Sequence, residues 1–63
     1  MAFGKMLLEF RAKHNLTQIK TAEILGVTPY MIFRYENYRS KPSNMNRLRF
    51  ENKMKEWEEK QSV

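Results

Sequence analysis

The sequence predicts an all-α domain of four helices, and two observations carry that prediction. Apolar residues recur at i, i+4 and i+7 in two separate segments, Phe3–Leu7–Phe10 and Phe50–Met54–Trp57, which is the rhythm of one face of an α-helix. Between them, residues that start or stop helices fall at short intervals: Asn15, Thr17, Gly26, Thr28-Pro29 and Pro42-Ser43. A chain of 63 residues has room for one small core, so residues 1–63 are read as a single domain.

The first helix carries Phe3, Leu7, Phe10 and His14 along one face, with Met6 beside them. Asn15 ends it, because asparagine tolerates the left-handed conformation that follows a helix. Leu16 then turns back to the core. Thr17 caps the second helix, Gln18 to Leu25, its hydroxyl satisfying a first-turn N–H that has no partner within the helix. Ala22 and Leu25, with Ile19, supply the apolar side of this helix. Gly26 stops it in the left-handed position, and Val27 packs inward.

Thr28 caps the third helix and Pro29 takes its first position, where the missing N–H would have had no partner. Ile32 and Tyr35 form its inner face. The loop "NYRSKPS" contains Pro42, which a helix interior excludes. Ser43 caps the last helix, about 44–60, where Met45 and Leu48 reach the core at the start. The later stripe of Phe50, Met54 and Trp57 has two placements. It folds back on Phe3 and Met6, or it runs past the globule and meets a partner.

Lys and Arg number 12 against 7 Asp and Glu, for a formal charge of +5 and a pI near 9.8. In a small domain such a balance points to a polyanion, most often nucleic acid. The charge is uneven: Arg34, Arg39, Lys41, Arg47 and Arg49 face only Glu36 between positions 34 and 49. With no cysteine and a lone His14, neither a metal nor a cofactor is expected. There is no nucleophile–base pair and no phosphate-cradling glycine loop, so an enzyme is not expected. No apolar run approaches the roughly 20 residues of a membrane span. The opening "MAFGKMLLEF" is too short, and carries Glu9 too early, for a signal peptide.

The segment "LTQIKTAEILGVTPYMIFRYEN" resembles the helix-turn-helix of the Cro and lambda-repressor-like regulators, the xenobiotic-response-element family. Ala22 stands where the two helices cross closely, Gly26 in the turn, and Ile32 where a branched aliphatic locks the third helix. Leu7, Phe10 and Arg11 stand for the family's Leu-x-x-Leu-Arg element, and the resemblance covers Leu7 to Leu48. It implies a small four-helix lambda-repressor-like domain, with the helix-turn-helix over 17–37 and an extended C-terminal helix. There are three departures. Thr21 replaces an aliphatic residue. Tyr38 replaces the glycine after Glu-Asn, so Asn37 is expected to take the left-handed turn and free Tyr38 to point outward. The last helix is rich in Asn and Arg, which sets it apart from the family's usual dimer interface.

The resemblance implies double-stranded DNA as the partner, with the third helix in the major groove and the second across the backbone. Thr28, Pro29, Tyr30, Phe33 and Arg34 are the expected base-reading residues. Phe33 suits a thymine methyl, and Arg34 suits guanine or a phosphate. Thr17, Gln18, Asn37, Tyr38, Arg39 and Lys41 are the expected backbone contacts. Arg11 and Glu36 are expected to form a structural ion pair that sets the angle of the third helix.

The function implied is a Cro-like transcriptional repressor of a phage or mobile element, in the bacterial cytosol or nucleoid. It would act as a weak homodimer or as a dimer formed on the operator. Two alternatives stand beside it. One is an excisionase-like recombination accessory factor. The other is a protein-interaction module, antitoxin-like or repressor-modulating, that uses Phe50, Met54 and Trp57 on the C-terminal helix.

Overall fold

The computed structural model describes residues 2–61. Four α-helices follow one another: α1 Phe3–His14, α2 Gln18–Leu25, α3 Pro29–Glu36 and α4 Asn44–Gln61. Their ends fall where the local chemistry requires. Asn15 adopts φ 54° and ψ 48°, and the Leu16 N–H returns to the Arg11 carbonyl at 2.8 Å. Thr17 Oγ1 accepts from the Lys20 N–H at 3.0 Å, Thr28 Oγ1 from Met31 at 3.3 Å and Ser43 Oγ from Asn46 at 3.2 Å. Each hydroxyl satisfies one of the unpaired donors of a helix start. Gly26 ends α2 at φ 73°.

The core is one cluster drawn from all four helices: Phe3, Leu7 and Phe10 of α1, Ala22 and Leu25 of α2, Ile32 and Tyr35 of α3, Phe50 and Met54 of α4. Burying each large apolar side chain contributes about 1.5–3 kcal/mol. Thr21 sits inside this cluster with no exposed surface. It is tolerated in an aliphatic position because its hydroxyl donates to the Thr17 carbonyl at 2.9 Å, which removes the penalty of burying an unpaired polar group.

Two expectations for the core require correction. Ile19 is exposed: it lies about 200° around the helix from Thr21, so burying Thr21 turns it outward. Met45 and Leu48 are exposed as well, at 75% and 55%. Phe50 selects the inner face of α4, and Leu48 and Met45 lie about 200° and 140° around the helix from it.

Of the two placements for the C-terminal stripe, the structure adopts the folded-back one. Phe50 and Met54 are buried. Phe50 packs on Phe3 at 5.8 Å between ring centroids, and Trp57 packs edge-on against Phe10 at 5.7 Å and His14 at 4.9 Å. The stripe therefore covers α1, with Trp57 half-buried. Next to Trp57, His14 Nε2 donates to Glu58 Oε2 at 2.6 Å, and Lys13 Nζ reaches the same oxygen at 3.2 Å.

A contact between α1 and α3 carries no sequence signal of its own. Gly4 is buried, and a Cβ placed there would lie 2.1 Å from the Tyr35 carbonyl oxygen. Only glycine lets the backbone of α1 approach the end of α3 this closely.

Candidate nucleic-acid interface

The Thr28 cap and Pro29 set the direction of α3, and packing sets its rotation. Ile32, Tyr35 and Glu36 face inward. The helical period then sends Tyr30, Phe33 and Asn37 outward. Tyr30 is 62% exposed and Phe33 39%, and their rings stack at 6.3 Å with planes 19° apart. A guanidinium accompanies each ring: Arg34 lies 5.7 Å from the Tyr30 centroid and Arg39 6.0 Å from that of Phe33. Such pairs are worth about 0.5–1 kcal/mol at exposed sites. Tyr30, Phe33, Arg34 and Arg39 thus form one aromatic and cationic surface on α3 and the turn after it.

Arg34 is only half-buried, but its guanidinium is partly engaged. Nε donates to Ser40 Oγ at 2.8 Å, with longer contacts of 3.4 Å from Nη1 to the Tyr30 hydroxyl and from Nη2 to the Arg39 carbonyl. One N–H on each terminal nitrogen remains. Ser40, which the sequence did not single out, anchors this side chain. The only hint was a small hydroxyl residue among the loop cations.

The turn after α3 differs from expectation. Asn37 has φ −98°, and the left-handed residue is Tyr38 at φ 57°. The cause is the way the helix closes. The Arg39 N–H returns to the Arg34 carbonyl at 2.9 Å and the Tyr38 N–H to the Tyr35 carbonyl at 3.2 Å, the paired bonds of a Schellman motif. That geometry requires the left-handed conformation at position 38, whatever residue stands there, and a non-glycine residue takes it at a cost of about 1–2 kcal/mol. Asn37 instead caps the helix end, Nδ2 donating to the Phe33 carbonyl at 2.8 Å.

Of the other residues singled out for DNA, Thr17, Thr28, Pro29, Tyr38, Arg39 and Lys41 are exposed. Gly4, Tyr38, Arg39 and Lys41 line one open groove beside the N-terminus of α1. Gln18 is half-buried and turned to the interior, its Nε2 donating to Glu36 Oε1 at 3.0 Å. Glu36 also receives Arg11 Nε at 2.6 Å and Nη2 at 2.9 Å, while Arg11 Nη1 holds the Leu16 carbonyl at 3.1 Å. One buried carboxylate therefore joins α1, α2 and the end of α3. Farther along, Arg47 is paired with Glu51 at 2.9 Å and Arg49 with Asn46 at 3.2 Å, a solvated helix face.

Among the described residues no group of His, Cys, Asp and Glu could hold a metal ion, and no helix is long and apolar enough to cross a membrane.

A capped α2, a glycine turn and an α3 with an exposed outer face, all set on a common core, define a DNA-binding helix-turn-helix domain. The family model described as helix-turn-helix matches residues 7–46, more than half of the chain. The chain belongs to this family, the Cro and lambda-repressor-like helix-turn-helix regulators. No curated protein and no solved structure matches it.

Proposed function

We propose that the chain is a sequence-specific repressor of the Cro-like kind that binds double-stranded DNA and serves a phage or another mobile element. The observation that carries this reading is the exposed Tyr30–Phe33 pair flanked by Arg34 and Arg39. Two exposed aromatic rings packed together form an apolar patch, and two cations beside it suit a polyanion. In this reading Thr28, Pro29, Tyr30, Phe33 and Arg34 meet base edges. Thr17, Asn37, Tyr38, Arg39 and Lys41 meet the backbone, and Gln18 contributes through Glu36 to the placement of α3. The family resemblance supports the phage or mobile-element origin.

The protein binds as a weak dimer, or as a monomer that pairs on its operator, because its own core already uses the apolar stripe of α4. Selection of bound sequences from random duplex DNA tests the reading. A defined half-site repeated about one helical turn apart is the expected result. The combined Arg34→Ala, Arg39→Ala and Lys41→Ala variant should lose that binding; wild-type affinity in this variant would sink the proposal.

A further inference from the structure

We infer that the outer face of α3 selects C5-methylated pyrimidines, thymine or 5-methylcytosine, through the Tyr30–Phe33 ring pair, more than it selects bases by hydrogen bonding. The inference rests on the proposed binding of duplex DNA and adds the chemistry by which the site discriminates.

The polar groups of α3 on this face are few and partly engaged, and Arg39 of the following turn lies beside the Phe33 ring. Pro29 has no N–H to offer. Thr28 Oγ1 already accepts the Met31 N–H. The Tyr30 hydroxyl accepts from Arg34 at 3.4 Å and, like Thr28 Oγ1, keeps its own O–H to offer. Arg34 Nε is held by Ser40 at 2.8 Å, which ties the guanidinium back toward the loop. No asparagine or glutamine, the amides suited to bidentate contact with adenine, stands at positions 28–34. The one nearby amide of α2, Gln18, is committed to Glu36.

What the face does offer is apolar: the Pro29 ring, the Tyr30 ring and the Phe33 ring, all exposed. In the major groove, the apolar feature of a base edge is the C5-methyl group of a pyrimidine. The 6.3 Å between the two ring centroids spans about two base steps of ~3.4 Å. The pair therefore suits methyl groups on pyrimidines about two steps apart. Stacking of the rings on each other at 19°, with a guanidinium beside each, presents them as one preformed surface.

The test uses the full chain and a duplex recovered by selection. Each thymine in the half-site is replaced by deoxyuridine, which removes the methyl and keeps every hydrogen-bonding group. Burial of one methyl is worth about 0.8 kcal/mol, so each contacted position should weaken binding about fourfold. A Tyr30→Ala, Phe33→Ala variant, checked for helix content, should bind the thymine and uracil duplexes equally. Separate duplexes carrying 5-methylcytosine or cytosine at the contacted positions identify the source of the methyl. A gain with 5-methylcytosine over cytosine assigns recognition to the methyl from either base, and no gain restricts it to thymine.

Equal affinity for thymine and uracil duplexes, with sequence-selective binding intact, would overturn the inference and leave the proposed function standing. Absence of selective duplex binding would overturn both. Tighter binding to single strands than to duplex would overturn the inference in favour of ring stacking on unpaired bases.

Discussion

Arg11 grips both carboxylate oxygens of Glu36, through Nε at 2.6 Å and Nη2 at 2.9 Å, and so ties α1 to the C-terminal end of α3. The Glu36 side chain is 3% exposed and that of Arg11 23%. Removing one partner leaves a charge poorly solvated, which is far more costly than the net worth of the intact pair. Glu36→Gln should therefore destabilise the protein by about 3 kcal/mol, read from the midpoint of urea unfolding. Arg11→Met combined with Glu36→Leu should recover a large part of that loss. Unchanged stability in Glu36→Gln would remove the pair from the account of how α3 is held.

Gly4→Ala reverses the usual helix preference. At an exposed helix position the change stabilises by up to about 1 kcal/mol. Here the new Cβ would meet the Tyr35 carbonyl oxygen at 2.1 Å, and the helices must separate. A loss of about 1–3 kcal/mol is expected, as for other overpacked sites. Thermal unfolding followed by circular dichroism gives the sign directly.

The left-handed turn at Tyr38 separates backbone from side-chain effects. Tyr38→Gly and Tyr38→Ala both remove the ring, but only glycine takes φ 57° without steric cost. The glycine variant should be more stable than the alanine variant by about 1 kcal/mol. Equal stabilities would mean that the turn relaxes once the ring is gone.

Lys41 tests the backbone role of the loop. If it meets a phosphate, Lys41→Ala should weaken binding by the same factor on every DNA sequence and reduce the salt slope by about 1. A change confined to particular bases would place Lys41 at a base edge.

The Glu58 carboxyl is held below its usual range by the hydrogen bond from His14, with Lys13 acting the same way against the opposing effect of desolvation. Because the folded value is the lower one, this group adds stability above the unfolded value of 4.5 and loses it as pH falls through the folded value. The Glu58 side chain is 34% exposed, so solvent screening limits the contribution to at most about 1 kcal/mol. Glu58→Gln should flatten the fall in stability below pH ~4.5. Equally steep acid unfolding in both proteins would assign the acid response to other carboxylates.

Helix ends were legible in the sequence because each is a local chemical event. A hydroxyl at Thr17, Thr28 or Ser43, a left-handed Asn15 or Gly26, and a proline at position 29 all act on neighbouring backbone groups. The inner residues Ala22, Leu25, Ile32 and Tyr35 were legible for the same reason, since period and spacing are local. What escaped depends on contacts between distant segments. Ile19, Met45 and Leu48 are apolar, and only the rotation chosen by Thr21 and Phe50 puts them outside. Gly4 is constrained by a carbonyl 31 residues away in sequence. Residue preference puts the left-handed turn at Asn37, whereas the hydrogen-bond closure of α3 puts it at Tyr38. At the candidate interface, the outward direction of Tyr30 and Phe33 followed from period alone. The engagement of Gln18 by Glu36 and of Arg34 by Ser40 did not.

The Arg11–Glu36 bond has a geometric consequence for α3. Glu36 is six residues from Tyr30, about 9 Å along the helix axis at 1.5 Å per residue. Buried Ile32 is a second hold on the helix, so play at Glu36 turns α3 about Ile32 and carries the outer rings with it. Loosening the grip would displace the two rings sideways before it melted the helix. If the proposed function holds, a protein weakened at Glu36 would misread its DNA site while still folded, and its errors would appear first as altered base preference and only later as lost affinity.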